Sequence, residues 1–191
     1  AGAAADNAIL SFDPLQVTGT AGFALSLSTV DVDTDGNGSA DLLAATLTGL
    51  ALDVANAGVN ITGVAQLTVA GKLALATLAK TGDTRSWFAL KMGQVTVSGG
   101  LDPALDLGLT ASITIGALDY NSASVGATRL DWATAFDLDG DGAFDDAPNP
   151  GALLPVAQDL SIDFARSLQL RLSGSLTGTG VVAGAAPDNA I

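Results

Sequence analysis

The chain has 191 residues, with 20 acidic side chains against 7 basic ones, no histidine and no cysteine. That composition excludes a disulfide framework, a zinc ribbon and a thiol nucleophile, and it excludes a Ser/His/Asp triad. Seven scattered cations make no phosphate-tracking surface, so no nucleic acid partner is expected.

Apolar residues make up 48% of the chain and aromatics only 5%. A chain of this length can bury one sizeable core, and here Leu, Val, Ile and Ala must build it. Every acid is Asp, and Glu is absent. Glu favours helix interiors whereas Asp favours turns and caps, so the bias points away from a helical protein. No apolar run approaches the ~20 residues of a spanning helix. The positive mean hydropathy is expected to come from alternating strands, and no membrane insertion is expected.

The chain opens with Ala1-Gly2-Ala3-Ala4-Ala5-Asp6-Asn7-Ala8-Ile9 and closes with Ala183-Gly184-Ala185-Ala186-Pro187-Asp188-Asn189-Ala190-Ile191. The two stretches agree at every position but the fifth. Such self-similarity is the mark of a tandem array. Residues 1–9 are therefore expected to begin a repeat, 10–177 to form a single all-β module, and 178–191 to be a linker running into the next repeat.

Leu10-Ser11-Phe12 is a short extended piece stopped by Asp13-Pro14. Phe23, Leu25 and Leu27 alternate with Ala24, Ser26 and Ser28 as in a half-buried strand. The apolar parity then shifts to Val30 and Val32, which predicts a bulge near Ser28-Thr29. A strand is expected from Leu42 to Val54, and another through Val59, Ile61, Ala65, Leu67 and Val69. Turns are expected at Ala70-Gly71 and at Thr81-Gly82-Asp83. Arg85 to Ser98 reads as a further strand, and Leu105 to Ala117 as a long one. Ala152 to Asp159 suggests a short helical turn. Leu160, Ile162 and Phe164, then Leu168, Leu170, Leu172 and Leu176, alternate with polar residues. This succession predicts an antiparallel all-β domain, a sandwich or a curled meander with calcium-binding hairpin loops. A parallel β-solenoid is the alternative.

Two stretches carry the candidate chemistry. Asp137-Leu138-Asp139-Gly140-Asp141-Gly142-Ala143-Phe144-Asp145 places carboxylates at its first, third, fifth and ninth positions, with glycine at the sixth. Asp33-Thr34-Asp35-Gly36-Asn37-Gly38-Ser39-Ala40-Asp41 repeats that spacing, with Asn37 as a neutral oxygen donor. Ca²⁺ takes six to eight oxygen ligands, and alternate residues of a tight loop can aim theirs at one point. Four carboxylates held so close repel one another unless a cation joins them. The expected ligands are therefore Asp33, Asp35, Asn37 and Asp41 in the first loop, and Asp137, Asp139, Asp141 and Asp145 in the second. Asp31 and Asp146 read as flanking charges. No bidentate Glu stands at a twelfth position, so neither loop is an EF-hand. The spacing resembles the β-hairpin calcium loops of propeller-type repeats. Trp87 and Trp132 read as core rather than as a sugar-stacking platform.

On Thr84-Arg85-Ser86-Trp87-Phe88-Ala89-Leu90 and Thr128 to Asp137, and more broadly from Phe23 to Thr177, the chain resembles a repeat unit of the very large tandem-repeat proteins of bacteria described as calcium-binding or adhesin-like. The nine-residue Gly-rich repeats of RTX proteins are absent. The resemblance implies secretion and action at the cell surface. Composition, loops and resemblance converge on an expectation: a non-enzymatic, extracellular, Ca²⁺-stabilised module that extends or self-assembles with neighbouring copies into a fibre or coat. The alternative is a carbohydrate-binding module whose partner is a glycan.

Overall fold

The computed structural model describes residues 8–12, 15–61, 65–93, 95–101 and 110–179. The strands are β1 (Ala8–Phe12), β2 (Leu15–Val32), β3 (Leu42–Ile61), β4 (Ala65–Ala79), β5 (Ser86–Met92), β6 (Val95–Leu101), β7 (Thr110–Ala123) and β8 (Leu170–Thr179). They form one eight-stranded sheet in which every pairing is antiparallel. β5 and β6 lie end to end, because both pair with β4 on one side and β7 on the other. The chain is thus an all-β meander of long strands. Antiparallel pairing replaces the parallel rungs of the solenoid alternative.

Several boundaries differ from those the sequence suggests. β4 runs through Ala70-Gly71 without a turn, so that small pair marks a strand interior. The predicted strand from Arg85 to Ser98 is interrupted after Met92. The register shift beside the first loop falls between Val30 and Val32, slightly later than expected. The short helical piece is a 3-10 turn at Pro150–Leu153, where Pro150 presets the first φ. Leu160 to Leu168 form no strand. Of the long strand expected from Leu105 to Ala117, residues 105–109 lie outside the described residues, as do both repeated termini apart from Ala8 and Ile9.

The segment 124–169 folds back as a cap over one face of the sheet. Its large side chains Leu130, Trp132, Phe136, Leu154, Leu160, Ile162 and Phe164 are buried. The sheet meets them with small residues, among them Ala24, Ala51, Ala74, Ala76 and Ala89. Large against small is how two layers interdigitate at native density. Gly49 belongs to the same surface: a Cβ there would stand 2.8 Å from Ser26 Oγ and 3.3 Å from Pro150 Cγ.

Among the described residues, the buried side-chain polar atoms under the cap are paired, with Arg166 Nε the exception. Asn121 is fully buried, accepts the Trp132 indole N–H at 3.1 Å, and donates its amide to the Leu130 carbonyl at 3.0 Å. The Trp87 indole donates to the Thr128 carbonyl at 2.8 Å. Buried Asp119 pairs with Arg171 across β7 and β8. Lys91 reaches the Ser161 carbonyl at 2.5 Å and Asp163 at 3.1 Å. These bonds matter because an unpaired buried polar group costs about 1–3 kcal/mol.

The opposite face reverses the sequence expectation for β2. Alternation is there, but Ala24 faces the core while Phe23, Leu25 and Leu27 are 71%, 61% and 68% exposed. The register extends this across the sheet. Leu25, Leu50, Leu75, Leu90, Tyr120 and Leu170 stand side by side in one row. Phe23, Leu52, Leu73, Met92, Leu118 and Leu172 form the next. Bulk sits on the uncovered face because the cap brings its own bulk to the covered one.

Candidate metal centre

Both aspartate loops project from one end of the sheet, and they lie abreast. Val32, just before the first loop, forms a bridge with Phe136, just before the second; Phe136 in turn bridges Asp146 beyond its own loop. The Asp41 N–H donates to the Val32 carbonyl at 3.0 Å and the Asp146 N–H to the Phe136 carbonyl at 3.1 Å, closing each loop at its neck. The Asp33 N–H donates to the Ala135 carbonyl at 3.0 Å, tying neck to neck. Val32 and Phe136 are fully buried, so the shared stem is rooted in the core. Roughly a hundred residues separate the loops along the chain, and nothing in the spacing announces that they meet.

Their backbones match. Gly36 and Gly38 have φ of 83° and 82°, and Gly140 and Gly142 have 80° and 91°. The left-handed region is strained for residues with a Cβ, and glycine at the fourth and sixth positions of each loop meets that need.

In the first loop Asp33 is 2% exposed. Its Oδ1 accepts the N–H groups of Asp35, Gly36 and Asn37 at 3.2, 2.6 and 3.3 Å, and its Oδ2 accepts Gly38 N–H at 2.6 Å. Burial opposes ionisation of this carboxyl, but together the four N–H donors outweigh it and hold its pKa below the ordinary value. Asp41 turns to the second position, accepting Thr34 N–H at 2.9 Å and Thr34 Oγ1–H at 2.7 Å. Asp35 and Asn37 bond to each other, Asn37 Nδ2 donating to Asp35 Oδ2 at 3.1 Å. Arg166 donates from Nη2 to the Thr34 carbonyl at 2.9 Å, fastening the cap to this loop. Asp31 holds the N–H of Ala44 at 2.7 Å, where Ala44 has a φ of 54°.

In the second loop Asp137 accepts Gly140 N–H at 2.8 Å on Oδ1 and Gly142 N–H at 3.1 Å on Oδ2. The ninth-position role passes to the tenth: Asp146 Oδ2 accepts the N–H groups of Leu138 at 2.6 Å and Asp139 at 2.9 Å. Asp137, Asp139 and Asp146 each bring one carboxylate oxygen within 4.8 Å of the others. Asp141 and Asp145 are exposed and stand outside that trio. Asp146, read from spacing as a flanking charge, is therefore the residue that the fold gathers with Asp137 and Asp139. The doubled Asp145-Asp146 is the only signal the sequence offers, and spacing alone selects the wrong member of the pair.

Oxygens around Ca²⁺ lie at ~2.3–2.6 Å from the ion, so opposite ligands stand about 5 Å apart. The 4.8 Å trio fits that shell; each Asp137 oxygen keeps a lone pair after accepting one N–H, and Asp146, whose Oδ2 accepts two, has its Oδ1 to offer. Among the described residues no second acidic trio meets this separation, so Asp33, Asp35 and Asp41 are not drawn together to the same degree. Trp87 and Trp132 are buried, at 3% and 0% exposure, as the core reading expects. Compared with known proteins, the chain matches no family model, no curated protein and no solved structure.

Proposed function

We propose that this chain is a Ca²⁺-stabilised structural module of an extracellular surface protein, one unit of a tandem array that meets its own copies in a fibre or coat. The observation that carries the proposal is the gathering of Asp137, Asp139 and Asp146 in a loop whose backbone twin stands beside it. Ca²⁺ bound there neutralises the acidic end and stiffens the shared stem. An ion that binds only the folded chain adds RT ln(1 + [Ca²⁺]/Kd), about 2.7 kcal/mol at a hundredfold excess over Kd. Extracellular modules bind at ~0.1–1 mM, where the surrounding medium keeps such sites filled. Near-identical termini support the array. Glycan binding loses its stacking platform once both Trp side chains are interior.

The test is thermal unfolding with millimolar Ca²⁺ and with chelator. A Tm several degrees higher in Ca²⁺, together with saturable binding by calorimetry, is expected. An unchanged Tm removes the metal from the function.

A further inference from the structure

The uncovered face of the sheet has chemistry that the loops do not explain. Its two six-membered rows contain only Leu, Met, Phe and Tyr, without a charged side chain. The charges that the central strands carry are on the other face. Asp53 stands opposite Lys72, Lys91 opposite Asp119, and Asp119 opposite Arg171, in the register of the core-facing alanines. With a net charge of −13, a sheet face free of charge across six strands offers copies an apolar surface on which they can meet without like charges opposing each other.

The size of the face is also informative. Six strands at ~4.8 Å spacing and about fourteen residues at ~3.3 Å rise cover on the order of 1,300 Å². A standard stable interface needs about 800 Å² from each partner, and apolar patches beyond a few hundred Å² mark interaction sites. The edges decide between a protein and a lipid occupant. β1 pairs with β2 only from Leu15 to Thr18, and β8 pairs only with β7 among the described residues. Among the described residues, the rest of β2's outer edge and the outer edge of β8 have no strand partner, so their backbone N–H and C=O groups are left without a ladder. In hydrocarbon such groups are prohibitively costly, whereas in a sandwich they stay in water.

We propose that this face packs against the same face of a second copy, making a two-sheet sandwich in which the caps lie outermost. Two such sheets align at about 30° and ~10 Å apart, so the Leu rows of one copy interdigitate with those of the other around a two-fold axis. This deepens the homotypic part of the proposed function and rests on it, but it needs no metal.

The experiment is sedimentation velocity on the full chain from 1 to 100 µM, in Ca²⁺ and in chelator, beside the double variant L25E/L172E. The expected result is a dimer in both buffers for the parent chain and a monomer for the variant, whose buried Trp fluorescence stays native. Because the chain has no cysteine, a milder variant, L25C with an environment-sensitive dye, gives a second readout: its emission shifts to the blue as dimer forms. A parent chain that stays monomeric at 100 µM overturns the proposal. So does a dimer that survives L25E/L172E, which would place the contact on the strand edges, or partition of the chain into phosphatidylcholine vesicles, which would make lipid the occupant. Loss of the Ca²⁺-dependent Tm shift with the dimer intact would count against the metal alone.

Discussion

The two aspartate loops share spacing, glycines and stem, yet they use their acids differently. In the first, Asp33 is sunk beneath four N–H donors and Asp41 is occupied with Thr34, so the loop is held largely by its own hydrogen bonds. In the second, three carboxylates converge near the surface with fewer internal donors. The last acid closes the turn in both, Asp41 on Thr34 and Asp146 on Leu138 and Asp139; the loops differ in how deeply the first acid is buried and in whether three carboxylates converge. Under the proposed function, the second loop is therefore the one that an ion should stiffen most.

The largest effect that probes this comparison should come from the stem both loops share. Phe136 packs on Trp132, with ring centroids 5.7 Å apart, and truncation of a buried aromatic costs about 3–5 kcal/mol. Phe136→Ala should therefore lower Tm more than any loop substitution. It should also weaken Ca²⁺ binding, measured by calorimetry on the fraction that remains folded; intact binding would mean that the loops do not depend on their stem. Next in size is the contrast between Asp146→Asn and Asp145→Asn. The first should weaken Ca²⁺ binding about tenfold, or ~1.4 kcal/mol, and the second should barely change it. The opposite ranking would restore the ninth-position ligand that spacing suggests.

Asp41→Ala should cost roughly 1–2 kcal/mol even in chelator, because it leaves the Thr34 donors unpaired. Asp139→Ala in chelator should cost less, since its carboxylate closes no comparable pair of bonds; equal costs in urea unfolding would erase the distinction between the loops. The smallest effect concerns pH. Asp33 has a folded pKa below 3.8, so its contribution is complete above that ordinary value and is lost as pH falls through the lower folded one. Carbon-detected NMR should place the Asp33 midpoint below the usual carboxyl range, and a midpoint at or above 3.8 would contradict the buried N–H cradle.

Much of this was legible in the chain. Period-two alternation of Leu and Val against Ser, Thr and Ala is a local property, and it marks β2, β3 and β7 as strands. The aspartate loops show themselves for the same reason, since ligand spacing and turn glycines act within nine residues. Which face of β2 is covered was not legible. Phe23 and Leu25 are the bulkier set, and only the distant cap, with Trp132 and Phe164, makes Ala24 the inward residue. The meeting of the loops through Val32 and Phe136 is equally non-local. Asp146 lay beyond reach because a one-residue slip at the neck, set by its bridge to Phe136, decides which of two adjacent acids points inward.

Asn121 holds the Trp132 indole with an amide, a group that never titrates, where the loops rely on carboxylates that do. That latch stands at the root of the two hairpins, because the Trp132 it holds packs on Phe136, the residue that bridges both necks. Protonation of Asp33 should therefore slacken the first hairpin's tip while the indole–amide bond keeps the joint beneath it latched.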